Sequence, residues 1–178
     1  MEPWLFNEEL WQDMNMLQAI YLGSLKSDVM KMACSKLVDR PLQLLDYKVG
    51  RLVGEITESI DVFEQMKVMM YDGHDENAVP YLKWLHPTNI EYPQPTEYAT
   101  EISIELHYSP KCISDQEQKA RDCVAVKMLY NGLVLEFEGA CKDAKLCTYE
   151  EFRAYIDSIW YKDGAGVGQT NWSEACQL

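Results

Sequence analysis

Val68-Met69-Met70-Tyr71-Asp72-Gly73-His74-Asp75 is the stretch on which the reading of this chain turns. Four consecutive apolar residues ended by a glycine two positions on predict a short strand buried on both faces, as in parallel or mixed sheets. From Glu76 to Leu85 the pattern becomes helical, with Asp75 expected as the N-cap. A strand that hands over to a helix at a His-Asp pair would gather an imidazole, a carboxyl group and unsatisfied helix N–H groups in one crevice. In open α/β sheets, ligands bind beyond the carboxyl ends of the strands, and a helix N-terminus favours phosphate. Protonated His74 can donate to a phosphate oxygen. A dianion bound beside Asp75 would favour its neutral carboxyl form, which can pass its proton to a leaving alcohol oxygen as general acid. The competing reading is structural: a capping aspartate beside a histidine with no chemical task.

Working outward, the N-terminal side reads as two helices. One is expected from about Asn7 into the low thirties, with Leu10, Met14, Leu17, Tyr21 and Leu25 on one stripe. A second is expected to start at Arg40-Pro41, where proline suits a first turn, and to run to about Glu64. Gly50 and Gly54 fall inside it, and close packing against another element is the reason expected for them. On the C-terminal side the pattern changes to strands. Pro87, Pro93 and Pro95 mark a loop, and Thr100–Tyr108 alternates with Ile102, Ile104, Leu106 and Tyr108 on one face. Cys123–Tyr130, Asn131-Gly132 and Leu133–Phe137 form a two-residue hairpin signal, because Asn-Gly tolerates the positive φ angles of a type I′ turn. Thr148-Tyr-Glu-Glu151 is a capping box opening a helix through about Ile159. The order helix, helix, strand, helix, strands, helix predicts an α/β fold, a sheet partly covered by helices.

Charge and motifs remove several function classes. With 29 acidic against 16 basic residues the net charge is −13, so nucleic acid and anionic membrane surfaces are poor partners. No apolar run is long enough to span a bilayer, and the first residues carry no secretory signal pattern. The three histidines, His74, His86 and His107, lie on different elements with no ligand spacing, so no metal is expected. There is no Gly-x-Ser-x-Gly and no Walker loop. Gly164-Ala-Gly-Val-Gly168 precedes no helix and reads as a flexible loop.

None of the six cysteines stands in a CxxC pair. Cys112 and Cys123 flank a polar loop they could staple, and Cys141 and Cys147 bracket five residues just before a helix. Local bridges of this kind suit an oxidising compartment; scattered thiols of an intracellular protein are the alternative. Cys34 and Cys176 have no local partner, and a bridge between them is possible but unsupported. Asn171-Trp-Ser173 is a glycosylation sequon, relevant if the chain enters the secretory route.

Met69–Asp75 resembles the Tyr-Ser-(Ala/Gly)-His-Asp motif of histidine acid phosphatases. Further stretches, in the same order, are similar to that family: the strand Tyr98–Tyr108, the hairpin at Asn131-Gly132, Cys141…Cys147-Thr-Tyr-Glu-Glu-Phe152, and Trp172-Ser-Glu-Ala-Cys176. The resemblance implies the C-terminal half of a mixed sheet with flanking helices, incomplete without its N-terminal half. Residues 1–40 would end a helical cap and residues 41–178 would belong to the α/β phosphatase domain. It implies hydrolysis of phosphate monoesters through a phosphohistidine, without cofactor, in an extracellular or lysosomal setting. Asp75 would be the general acid, His74 a phosphate ligand, and Cys141–Cys147 a short disulfide. The family's nucleophile lies in Arg-His-Gly-x-Arg-x-Pro, whose arginines clamp the phosphate. Here the arginines are Arg40, Arg51, Arg121 and Arg153, and none precedes a histidine. Covalent catalysis then has no first step, and the transferring phosphoryl charge is unstabilised. The chain is expected to be inactive alone. The alternative is a non-catalytic product that binds or pairs with another chain, which nothing in the sequence identifies.

Overall fold

A computed structural model describes residues 27–91, 96–115 and 120–160. The elements follow in the order α1 (Ser27–Leu52), α2 (Asp61–Gln65), α3 (Asp75–Leu85), β1 (Ile102–Tyr108), α4 (Pro110–Ile113), a 3₁₀ turn at Ala120–Cys123, β2 (Val124–Tyr130), β3 (Leu133–Val134), β4 (Cys147–Thr148) and α5 (Tyr149–Ile159). The helix expected to begin near Asn7 falls mainly outside the described residues.

The sheet is built on the predicted hairpin. Asn131 and Gly132 take φ of 48° and 80°, the backbone a type I′ turn demands. The Asn131 side chain also accepts the Glu101 N–H at 2.8 Å, tying the turn to the start of β1. β2 is the central strand: β1 pairs along its whole length, and β3 and β4 pair with its two ends. Every ladder is antiparallel, so the parallel or mixed sheet expected from the sequence is not formed among the described residues. Val124, Val126, Met128 and Tyr130 of β2 are buried at alternate positions. Their register partners on β1 are Tyr108, Leu106, Ile104 and Ile102, the face that the alternation had assigned.

Three helices pack against this apolar face. α1 contributes Cys34, Val38, Leu42 and Val49; α3 contributes Tyr81, Leu82, Trp84 and Leu85; α5 contributes Tyr149, Phe152 and Ile156. Two hydrogen bonds fasten α3 to α5: Trp84 Nε1 donates to the Ile159 carbonyl at 2.9 Å, and the Tyr155 hydroxyl donates to the Leu85 carbonyl. α5 opens on the expected capping box. The Thr148 hydroxyl accepts the Glu151 N–H at 3.3 Å, and the Glu151 carboxylate accepts the Thr148 N–H at 3.0 Å.

Two helix boundaries differ from expectation. Pro41 does not start a helix; it sits inside α1. Its ring removes one backbone donor, an interior cost of about 3 kcal/mol, which the buried face from Cys34 to Val49 offsets. The helix also stops well short of Glu64. Gly54 takes φ +78°, its N–H donates to the Arg51 carbonyl at 3.3 Å, and the Glu55 N–H reaches back to the Gly50 carbonyl at 2.9 Å. This is a Schellman termination, with glycine at the left-handed position. The two glycines therefore serve different ends. Gly50 is the close approach: a Cβ there would lie 2.6 Å from Cδ1 of Ile56.

Beyond Gly54 the chain folds back along the end of α1. The Tyr47 hydroxyl accepts the Ile60 N–H at 3.1 Å and donates to Glu64. Its ring lies 5.7 Å from that of Phe63, and Lys48 Nζ donates to the Glu64 carbonyl at 2.9 Å. Both local disulfides are present, Cys112–Cys123 and Cys141–Cys147, with Cα separations of 5.5 and 5.1 Å. Cys34 is a buried free thiol, pushed up to about 12 by that burial; Cys176 lies outside the described residues. No helix among the described residues is long and apolar enough to cross a membrane.

Candidate functional site

The expected strand ahead of the His-Asp pair does not form. Residues 66–74 lie outside any helix or ladder, and Val68 and Met70 are 74% and 86% exposed. A strand needs a neighbouring backbone to satisfy its N–H and C=O groups, and no described segment lies alongside to provide one. The apolar character that suggested burial on both faces is present; the sheet that would bury it is not.

The handover into α3 does occur, one residue earlier than expected. His74 is the N-cap, with φ −110° and ψ 173°, and Asp75 is the first helical residue. Asn77, which the sequence reading passed over, fixes this start. Its Oδ1 accepts the His74 N–H at 3.1 Å, while the Asn77 and Ala78 N–H groups bond the His74 carbonyl at 2.9 and 3.2 Å. The spacing His-x-x-Asn, a polar acceptor three residues after a cap, was the signal available for it. Gly73 leaves room for that carboxamide, since a Cβ at 73 would sit 3.0 Å from Asn77 Oδ1. The Asp75 carboxylate accepts the Glu76 N–H at 3.0 Å, so it already lies over the helix start. His74 is exposed and Asp75 half-buried.

The remaining polar groups are placed elsewhere. His86 caps the far end of α3, about 16 Å away along an 11-residue helix. His107 lies on β1, with Nε2 2.9 Å from Glu105. Among the described residues no group of three or more His, Cys, Asp or Glu is placed to hold a metal ion. All four arginines are engaged by other groups. Arg40 bonds Gln43. Arg51 holds Glu64 and the carbonyls of Ile56 and Thr57. Arg121 bridges Glu55 and Glu150, and its own guanidinium is held charged by the Glu55 hydrogen bond first. Arg153 lies between Asp46 and Asp157. The pair at 74 and 75 thus has a helix start to hold an anion, a donor and a carboxyl group, and none of these arginine contacts involves it. Asn171, the sequon asparagine, lies outside the described residues.

The comparisons add no relative: no protein-family model matches the chain, and no curated protein or solved structure matches it.

Proposed function

We propose that His74 and Asp75 are the phosphate-binding and proton-donating half of a phosphomonoester hydrolase site of the histidine acid phosphatase kind. In this reading His74 binds a phosphate oxygen, the α3 N-terminus supplies partial positive charge, and Asp75 protonates the leaving alcohol oxygen. The observation that carries it is the capped helix start: Asn77 holds the His74 backbone so that both side chains emerge at the first turn. The ordered motifs from Met69 to Cys176 supply the family. An extracellular or lysosomal setting accords with the two local disulfides. The nucleophile and the arginine clamp would have to come from another polypeptide segment. The exposed stretch ahead of His74 favours, as a second reading, a product whose role is pairing rather than turnover.

The test has two parts. The purified chain should hydrolyse p-nitrophenyl phosphate negligibly at a pH of about 5, for want of a nucleophile. In NMR titration with inorganic phosphate, the amide signals of residues 74–78 should shift, and the His74→Ala variant should lose most of that shift. Unmoved amides would remove the phosphate reading. Turnover abolished by Asp75→Ala would instead show that the chain is catalytically complete.

A further inference from the structure

Five of the nine large hydrophobic residues exposed among the described residues, Ile60, Val62, Val68, Met70 and Tyr71, fall within 60–71. Residues 68–73 lie in no helix or ladder, and the backbone is extended on either side of them, at Met66 (φ −72°, ψ 120°) and at His74 (φ −110°, ψ 173°); on a strand, Val68 and Met70 would share one face. Among the described residues, no backbone group of residues 66–73 takes part in a backbone hydrogen bond. Unpaired edges of this sort are normally blunted by charge, proline or a bulge. Here the extended segment itself carries no charge between Lys67 and Asp72. Acidic residues follow it: Asp72 and Glu76 are exposed and make no ion pair among the described residues, while exposed Lys67 stands at its other end.

From these features we infer that residues 67–72 dock an extended strand of another protein, apolar at alternate positions and flanked by lysine or arginine. Strand addition satisfies the open N–H and C=O groups, and alternating apolar side chains cover Val68 and Met70. The cations of the incoming strand meet Asp72 and Glu76. A second copy of this chain fits poorly. Each copy carries a net charge of −13, so two copies repel each other as whole molecules. The inference does not require the phosphatase reading, because it uses only exposure, backbone pairing and charge.

The probe is a short fluorescent peptide alternating valine and threonine between paired lysines, with a glutamate-flanked version as control. The lysine peptide should bind the whole chain in an anisotropy titration, weaken as salt rises, and slow hydrogen exchange at amides 67–72. Met70→Pro removes a ladder donor at an exposed position, and should weaken binding at least about tenfold with the circular dichroism spectrum unchanged. Asp72→Lys should weaken the lysine peptide and not the control. Equal binding of both peptides, or binding that leaves exchange at 67–72 unchanged, would overturn the inference. So would a mass that doubles with concentration and is lost on Met70→Pro, since that assigns the segment to a second copy.

Discussion

Reducing the two disulfides one at a time gives separable, calculable losses. Cys112–Cys123 closes a separation of 11 residues and Cys141–Cys147 one of 6. In the chain-entropy account, such closures restrict the unfolded chain by about 2.8 and about 2.2 kcal/mol respectively. Alanine replacement alone would blur the comparison, because Cys141 and Cys147 are both buried and lose packing as well as the cross-link. The better design keeps the sulfurs. In Cys112→Ala/Cys123→Ala the difference between oxidised and reduced protein reads the 141–147 bridge, and in Cys141→Ala/Cys147→Ala it reads the other. Urea unfolding, with each protein measured with and without reductant, should give differences near those values. In thermal terms each bridge is then worth about 6 to 7 °C for a chain of this length. The 112–123 bridge should be the larger. A reversed order, or no change on reduction, would refute the loop account and weaken the oxidising-compartment reading together with it.

Two further outcomes are expected. Gly50→Ala should stabilise the Ile56→Ala background by about 1 kcal/mol through helix propensity, but should do much less, or destabilise, where Ile56 is intact. Equal effects in both backgrounds, by chemical unfolding, would show that the close approach to Ile56 is not what selects glycine. Burial by itself would raise the Glu151 carboxyl, but the Thr148 N–H and hydroxyl and the Lys142 N–H hold it below the usual carboxylate range. A lowered folded value contributes stability above the ordinary glutamate value of about 4.3 and loses it as pH falls through the folded one. The melting-temperature gap between wild type and Glu151→Gln should therefore be present at pH 7 and close below a pH of about 4; a gap constant across that window would refute the capping-box titration.

What could be read in the sequence was what neighbours in the chain decide. Asn131-Gly132 sets its own turn, and Thr148-x-x-Glu151 satisfies its own helix start, so both came out in place. The cysteine pairs are local in the same sense. The helix boundaries at Pro41 and Gly54 went wrong because each residue tolerates two backgrounds. A proline suits a first turn, yet a long buried face carries the helix through it; a glycine in an apolar period reads as packing, yet here it ends the helix with φ +78°. The strand at 68–71 failed for a different reason. Its apolar run is a property of the segment, but pairing is a property of two segments, and the second is not among the described residues. Asn77 is not legible from proton-carrying chemistry, because its carboxamide holds the His74 backbone and itself carries no titratable proton.

The position of the open segment bears on what His74 and Asp75 can do. Tyr71 and His74 are three residues apart, so whatever strand covers 67–72 comes within about 10 Å of the helix start. As the site stands, His74 is exposed, and the attraction between unit charges 4 Å apart in water is only about 1 kcal/mol. That is too little to select a phosphate ester from solvent, or to stabilise a transferring phosphoryl group, a task for which preorganised charge in a water-excluded site is usually the largest contribution. A strand laid along Val68 and Met70 would exclude water from the same neighbourhood, and at an intermediate effective dielectric of 20 the same pair is worth about 4 kcal/mol. Covering the apolar edge and empowering the polar pair would then be one event. An arginine carried on such a strand could serve both charge complementarity with Asp72 and Glu76 and, on the proposed phosphatase reading, the phosphate clamp, whereas a lysine, with its mobile point charge, would serve the first better than the second.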